Sequence, residues 1–437
     1  MKYKILFPVE TTARELLYKL VLSIKFAQLG YVCYLGSKDQ IERLIRKVKP
    51  FAYFDKGYHA NVSEPIFESI KKNSGVIINL DEEGGVDFKD SSTISSRYPE
   101  KLFRECDKIF LWGTKQYNVL KNNGIYFDDK KVIISGHPRF QLLGQAYHSL
   151  YEHEKNTIID KFPRYILINT NMGFGNNIRG DEFARSNYGT RIKNIEEIIA
   201  FDKLKIKLYI NLIKQLSSLY EGIIIVRPHP EENKSTYISA FKDLRNVKVL
   251  FEGSVIPWIL GAEVMIHPDC TTGIESMMLG TKPLSYLPAH RFENTCTYIP
   301  VKLSRECNNV EDVISWLLEQ KIPFPQDSCS PLLEDYFSFG KDSISIIVKS
   351  VHELLRERQS EVVKDLTFFY QIQMGIKDLI RPYYHRMLKR DIKLYQNKLA
   401  GLSSCNVSAV FHTAITLFNT DSNVTIQNIS DSLYRIQ

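Results

Sequence analysis

The chain lacks several features that would classify it at once. No two of its seven cysteines (Cys33, Cys106, Cys270, Cys296, Cys307, Cys329 and Cys405) form a C-x2-C pair. That excludes a zinc ribbon and a thioredoxin-like redox motif, and the scattered, odd set suits reduced thiols in a cytoplasm. No apolar run reaches the roughly 18 residues that suggest a transmembrane helix. The opening M-K-Y-K-I-L-F-P-V-E runs directly into a strand-like segment, without the n-region and h-region of a signal peptide. A cytoplasmic location is expected. Neither G-x-G-x-x-G nor G-x-x-x-x-G-K-[ST] occurs, so a dinucleotide fingerprint and a P-loop are excluded. There is no internal repeat and no low-complexity segment.

What is present is an ordinary soluble composition. The 437 residues are 44% hydrophobic and 24% charged, with a formal charge of +7. That length predicts two domains and an appendage. Short apolar runs alternate with helical patterns. Residues 4–9, 31–35, 51–54, 76–80, 108–112 and 132–135 read as strands. The alternation restarts at 165–169, 222–226, 247–251, 264–266 and 283–286, and the longest helical pattern spans 192–220. Such βα alternation predicts parallel sheets covered on both faces. The expected division is a Rossmann-like domain at 1–145, a polar linker at 146–163, a second Rossmann-like domain at 164–343, and a basic helical extension at 344–437. Ligands of doubly wound sheets sit beyond the carboxyl ends of the strands, so a cleft between the two halves is the expected site.

Unusual residues gather at those predicted strand ends. Glu10-Thr11-Thr12-Ala13-Arg14-Glu15 follows the first strand. Glu10 and Arg14 are placed to pair across a helical turn, and plain capping by threonine accounts for the group equally well. Asp81-Glu82-Glu83-Gly84-Gly85 follows the fourth strand. The glycines allow a sharp turn, and crowded carboxylates raise the pKa of one of their number. This suits a general base; an exposed acidic turn is the plain alternative. Arg227-Pro228-His229-Pro230-Glu231-Glu232 offers a guanidinium fork for phosphate and a backbone-fixed histidine. His267-Pro268-Asp269-Cys270-Thr271-Thr272-Gly273-Ile274-Glu275 places two hydroxyls at a helix start, an anion site, with Glu275 positioned for ribose hydroxyls. Asn169 to Asn177 is a Gly/Asn loop in which Asn171 and Asn176 can meet sugar hydroxyls; a plain loop serves as well.

Taken together, I-L-F-P-V-E-T-T-A-R-E, D-E-E-G, R-P-H-P and H-P-D-C-T-T-G-I-E resemble the bacterial surface carbohydrate biosynthesis proteins. These are similar to GT-B glycosyltransferases that use CMP-activated acidic sugars, such as Kdo transferases and bacterial sialyl- and polysialyltransferases. The resemblance covers about residues 3 to 320. It implies a GT-B-like fold and transfer of a Kdo- or sialic-acid-like sugar from a CMP-sugar to a glycan or lipid-linked glycan in lipopolysaccharide or capsule synthesis. It implies that the base is Glu82 or Glu83 beside Asp81, and that His229-Pro230 and Thr271-Thr272 hold the donor phosphate; Arg227, His267, Gly273 and Glu275 complete the expected nucleotide-binding set. No cofactor is implied. No metal is implied either, and no Asp-x-Asp stands at a predicted strand end. One departure stands out: the loop Asn169–Asn177 lacks the carboxylate nucleophile of retaining Kdo transferases, which favours a single inverting displacement. A CDP-polyol phosphotransferase of the teichoic acid kind, a transferase using a nucleotide-diphosphate sugar, a nucleotide-sugar epimerase and a non-catalytic nucleotide-binding scaffold are the other readings.

Charge concentrates near the end. From Lys377 to Lys398 there are seven basic and two acidic residues, with apolar and aromatic residues between them. Such a segment can lie on an anionic bilayer, or it can be a helix with a solvated basic face. No nucleic-acid-binding motif accompanies the charge. The segment from about Ser403 onward reads as a polar helix or as disorder.

Overall fold

The structure, a computed structural model, describes residues 3–85, 89, 91–125, 128–189, 192, 194–288, 295–319, 326–358, 363–367, 369–376, 380, 398–418 and 423–437. Most of the basic stretch 377–398 lies outside them. The chain divides into two compact units. Unit 1 comprises Met1–Gly84, Ile94–Leu142 and Leu333–Gln437; unit 2 comprises Gly85–Thr93 and Leu143–Leu332.

Each unit is an α/β layer structure of Rossmann type around a sheet with six parallel strands. In unit 1 the strands are β1 (Lys4–Val9), β2 (Val32–Ser37), β3 (Phe51–Asp55), β4 (Val76–Leu80), β5 (Lys108–Leu111) and β6 (Val132–Ile134). They run parallel in the order β2-β1-β3-β4-β5-β6. Every residue of β1, β3 and β4 is buried, as expected for strands with helices on both faces. In unit 2 the strands are β7 (Tyr165–Asn169), β8 (Ile223–Arg227), β9 (Val247–Val249), β10 (Val264–His267), β11 (Pro283–Tyr286) and β12 (Arg305–Cys307). Their order is β12-β11-β10-β7-β8-β9, again all parallel. The strand order reverses at β1/β3 in the first sheet and at β7/β10 in the second. These switch points are where open α/β sheets leave a ligand crevice beyond the carboxyl ends.

Two expectations need correction. Residues 146–163 do not form a bare linker. A 3-10 helix at Gln145–Tyr151 and an α-helix at Glu152–Lys161 occupy them, anchored by buried Tyr151 and Phe162. The helix itself has no buried residue, which is why its sequence carries no core signal. Residues 344–437 do contain helices, Ser343–Glu357 and Ser404–Leu417 among them. The chain then ends in a hairpin, β13 (Ile426–Ser430) and β14 (Leu433–Ile436). Strand β14 pairs antiparallel with β2 and closes the edge of the first sheet. Gly36 makes this possible: a Cβ there would lie 2.4 Å from the Ser432 carbonyl oxygen. Among the described residues no helix is long and apolar enough to cross a membrane.

Candidate functional site

The carboxyl end of the first sheet holds a buried ionic network. Helix Thr12–Gln28 follows β1, and its first turn is capped by Glu15 rather than by threonine. The Glu15 carboxylate accepts from the backbone amides of Glu10 and Thr11 at 3.0 and 3.1 Å, and Thr11 makes no side-chain cap. The expected Glu10–Arg14 pair does not form. Glu10 pairs with Lys38 at 3.0 Å and with Lys56, because the neighbouring strand ends bring those lysines to it. Arg14 reaches Glu15 at 3.4 Å and Glu83 at 3.8 Å.

The three carboxylates after β4 have three different surroundings. Asp81 accepts a two-point grip from Nε and Nη2 of Arg97. Glu83 bonds Arg97 at 3.1 Å, and its side chain is 42% exposed. Burial lifts its pKa, but Arg97 and Arg14 outweigh that and hold it below the usual range. Glu82 is enclosed. Its Oε1 accepts from the Tyr18 hydroxyl and lies 2.9 Å from Lys19 Nζ. Lys19 also bonds Glu15 at 2.9 Å and the Pro8 carbonyl at 2.7 Å. Burial dominates at Glu82 and raises its pKa, while the Lys19 cation opposes the shift. The other oxygen, Oε2, has no hydrogen-bond partner among the described residues and faces His137 Nε2 at 3.9 Å.

His137 was not singled out from the sequence. It follows β6 in Gly136-His137-Pro138, a strand-end pattern like Arg-Pro-His-Pro, and that likeness was the available signal. Its Nδ1 accepts from the Arg139 amide at 3.0 Å, so the neutral ring carries its proton on Nε2, toward Glu82. Burial holds its pKa far below the ordinary histidine value. Trp112 packs edge-on to this ring at 5.2 Å and donates from its indole nitrogen to the Asp81 carbonyl at 2.8 Å. Gly84 lies flat on that indole, where a Cβ would come within 2.5 Å of the ring. The next residue, Gly85, has φ +79°. The glycine pair thus serves a close approach and a left-handed turn.

The carboxyl end of the second sheet is built differently. His229 is half-buried, and its Nδ1 accepts from the Glu231 amide at 3.3 Å across the turn at Pro230. The neutral ring therefore presents Nε2–H as a donor. Glu232, fully buried, ties this loop to the one after β7. It accepts from Thr170 Oγ1 at 2.5 Å, the Met172 amide at 3.2 Å, the His229 amide at 3.1 Å and the Tyr237 hydroxyl. Asn176 is spent on the same brace, bonding the Asn233 carbonyl at 3.1 Å and accepting from Thr236 at 2.8 Å. It is a loop fastener rather than a sugar ligand. Asn171 sits half-buried beside it. A second buried brace, Asp202–Lys205–Asp269, spans 2.8 and 3.2 Å. It accepts from the Phe174 and Gly175 amides through Asp202 and from the Thr297 amide through Asp269.

Two sequence assignments fail on geometry. Arg227 does not offer a free fork. Its two terminal nitrogens donate to the carbonyls of Glu252 and Gly253 at 2.8 and 3.2 Å. The guanidinium lies against Trp258 and Phe251 at 5.2 and 5.7 Å, and burial lowers its pKa to about 10. His267 is wholly buried. It accepts from the Cys270 amide on Nδ1 and bonds Ser304 Oγ at 2.8 Å on Nε2. Burial brings its pKa down to about 3. Gly273 exists to admit this ring, since a Cβ there would meet Nε2 at 2.4 Å. Both residues brace the loops.

What remains at the β7/β10 switch point is polar, and apart from Glu275 it carries no acidic or basic side chain. Thr271 and Thr272 open the helix Thr272–Met278, and Thr271 makes no side-chain cap. Thr272 Oγ1 is buried without a hydrogen-bond partner among the described residues, its hydroxyl lying near the Cys270 thiol. Both polar atoms of the Asn169 side chain, buried at the end of β7, are likewise unpartnered there. Glu275 is buried one turn into the helix. Buried polar groups are seldom left unpaired, which makes Asn169 and Thr272 the candidate contacts for a polar ligand in this unit. Among the described residues no group of three or more His, Cys, Asp or Glu side chains is arranged to hold a metal ion.

The sequence matches no family model and no curated protein. Solved structures do resemble it. A UDP co-structure of S. aureus MnaA shares 13% identity over 84% of this chain and 100% of that one, with a TM-score of 0.53. The wall teichoic acid polymerase TagF, soaked with CDPG, shares 12% over 82% of this chain and 89% of that one, TM-score 0.51. UDP-GlcNAc 2-epimerase from Methanocaldococcus jannaschii shares 12% over 80% and 100%, TM-score 0.51. At such identities the likeness is one of fold: the chain has the two-unit, GT-B-like architecture of these proteins.

Proposed function

We propose that the chain is a transferase of bacterial surface-polymer synthesis whose donor is a sugar or polyol linked to a pyrimidine nucleoside diphosphate. This replaces the CMP-sugar donor as the leading reading. Unit 2 binds the donor and unit 1 supplies the base. The observation that carries the proposal is the pair of buried side chains, Asn169 and Thr272, at the β7/β10 switch point, whose polar atoms have no hydrogen-bond partner among the described residues. Amide and hydroxyl groups with no net charge suit a diphosphate, and His229 Nε2–H adds a donor on the neighbouring strand end. The fold relatives that hold UDP or CDPG point to the same class of ligand.

On the acceptor side, Glu82 is the base. Its raised pKa makes it a better proton acceptor than Glu83, whose two arginines hold its affinity for a proton down. The acceptor hydroxyl oxygen forms a bond to the sugar carbon or to the polyol-bearing phosphorus. The bond to the nucleotide leaving group breaks, and the hydroxyl proton passes to Glu82. His229 donates to the departing phosphate. The reaction needs no metal, and turnover should survive EDTA.

The test is a thermal-shift series with UDP, CDP and CMP. A ligand at 100 times its Kd stabilises the fold by about 2.7 kcal/mol. Shifts with UDP or CDP that exceed any with CMP support the proposal. A shift with CMP alone would return the donor to a CMP-sugar, and no shift with any of the three would sink both.

A further inference from the structure

The helix at residues 369–376 has two apolar faces, and one of them is unpacked. Tyr370 and Met374 join the core of unit 1, with Lys47 Nζ 4.6 Å from the Tyr370 ring centre. On the other face Phe369 is 85% exposed, Ile372 45%, Ile376 52% and, just beyond, Ile380 58%. At the helical repeat Phe369, Ile372 and Ile376 fall within about 60° of arc. Single exposed apolar residues need no explanation, but a contiguous stripe of large ones marks an interaction surface.

The surroundings of the stripe are basic. A groove of about 700 Å³ beside it is lined by Phe369, Ile372 and Ile376 together with Lys47 and Lys364. Arg43 lies close enough to act on the Tyr370 hydroxyl. The acid in the groove, Asp365, is already engaged by the Tyr34 hydroxyl at 2.8 Å and by Arg435 at 4.0 Å. In sequence, the stripe leads directly into the run with seven basic and two acidic residues.

We propose that this face docks unit 1 onto an anionic lipid surface. Phe369, Ile372, Ile376 and Ile380 enter the boundary between headgroups and acyl chains, and the cations stand at the level of the lipid phosphates. A second copy of the chain is a poorer occupant, because it would bring the same lysines and arginine against one another.

The test uses the full chain, co-sedimented with vesicles of phosphatidylcholine alone and of phosphatidylcholine with phosphatidylglycerol. Binding is expected only where phosphatidylglycerol is present and should weaken as salt is raised. The double variant Phe369→Ser/Ile376→Ser should lose about tenfold in partitioning, with its circular dichroism and melting temperature unchanged because both side chains are exposed. In a separate variant, Phe369→Trp, the added indole emission should move to the blue on adding anionic vesicles. Equal binding by wild type and the double variant would overturn the proposal. So would a Phe369→Trp emission that does not move, an absence of binding, or a dimer abolished by the double variant in a chain that ignores vesicles.

Discussion

The two sheets end in opposite ways. Beyond the carboxyl ends of the first lie Glu10, Arg14, Glu15, Lys19, Asp55, Lys56, Asp81, Glu82, Glu83 and Arg97, most of them paired with one another. Beyond the ends of the second the charges are withdrawn. Arg227 holds carbonyls, Glu232 holds amides, and Asp202, Lys205 and Asp269 brace loops from beneath. Apart from Glu275, the groups left at the switch point are an amide, hydroxyls and a histidine. The contrast suits a division of labour. Carboxylates with divergent pKa values handle protons. A diphosphate would be repelled by them and is better met by uncharged donors and helix-start amides.

The contrast can be broken by substitution. The largest expected effect is catalytic. Once a donor and an acceptor are in hand, Glu82→Gln should lower kcat by roughly 10²–10⁴, while Glu83→Gln stays within about tenfold of wild type. A reversed pattern would assign the base to Glu83. Next comes Lys19→Met, which leaves Glu82 buried without its paired cation and Glu15 with Arg14 alone. Removing one partner of a buried ion pair costs about 3–5 kcal/mol, measurable by urea unfolding at neutral pH. A loss below about 1 kcal/mol would mean that the network is solvated.

Asp55 gives a pH signature for the first sheet. Burial raises its pKa to about 6 from an ordinary 3.8, against the bonds from Asn79 and the Gly57 amide. The folded state therefore binds the proton more tightly than the unfolded one. Its contribution to stability is full below pH 3.8 and is lost as pH rises through about 6. The loss amounts to about 3 kcal/mol. Asp55→Asn should be flatter than wild type over that window, and parallel curves would remove Asp55 as its source.

Much of the fold could be read from the sequence, because buried parallel strands are short continuous apolar runs and turn signals bound them. The expected strand at residues 76–80 and the one at 165–169 are where the sequence analysis put them, and the long helix runs Ile195–Leu219. The terminal hairpin was illegible for a physical reason. Strands β13 (I-Q-N-I-S) and β14 (L-Y-R-I) are too short to stand out by their own pattern, and what fixes them is the pairing of β14 with β2, almost four hundred residues earlier. At the strand ends the sequence tells that a polar residue stands there, not which way its side chain turns. His267 and His229 have nearly the same local sequence, yet only the Gly273 notch draws the first ring inward. Lys19 and Tyr18 escaped notice because they lie within an apolar helix, where a lone lysine reads as surface.

The most direct test of the central claim is a calorimetric titration of UDP and CDP into wild type, Thr272→Val and Glu82→Gln. Thr272→Val removes a hydroxyl that has no hydrogen-bond partner among the described residues, so its stability should stay within about 0.5 kcal/mol of wild type. Its nucleotide affinity should nevertheless fall about tenfold, or 1.4 kcal/mol, while Glu82→Gln binds as wild type does. Undiminished binding by Thr272→Val, with affinity lost in Glu82→Gln, would contradict the assignment of the donor to unit 2.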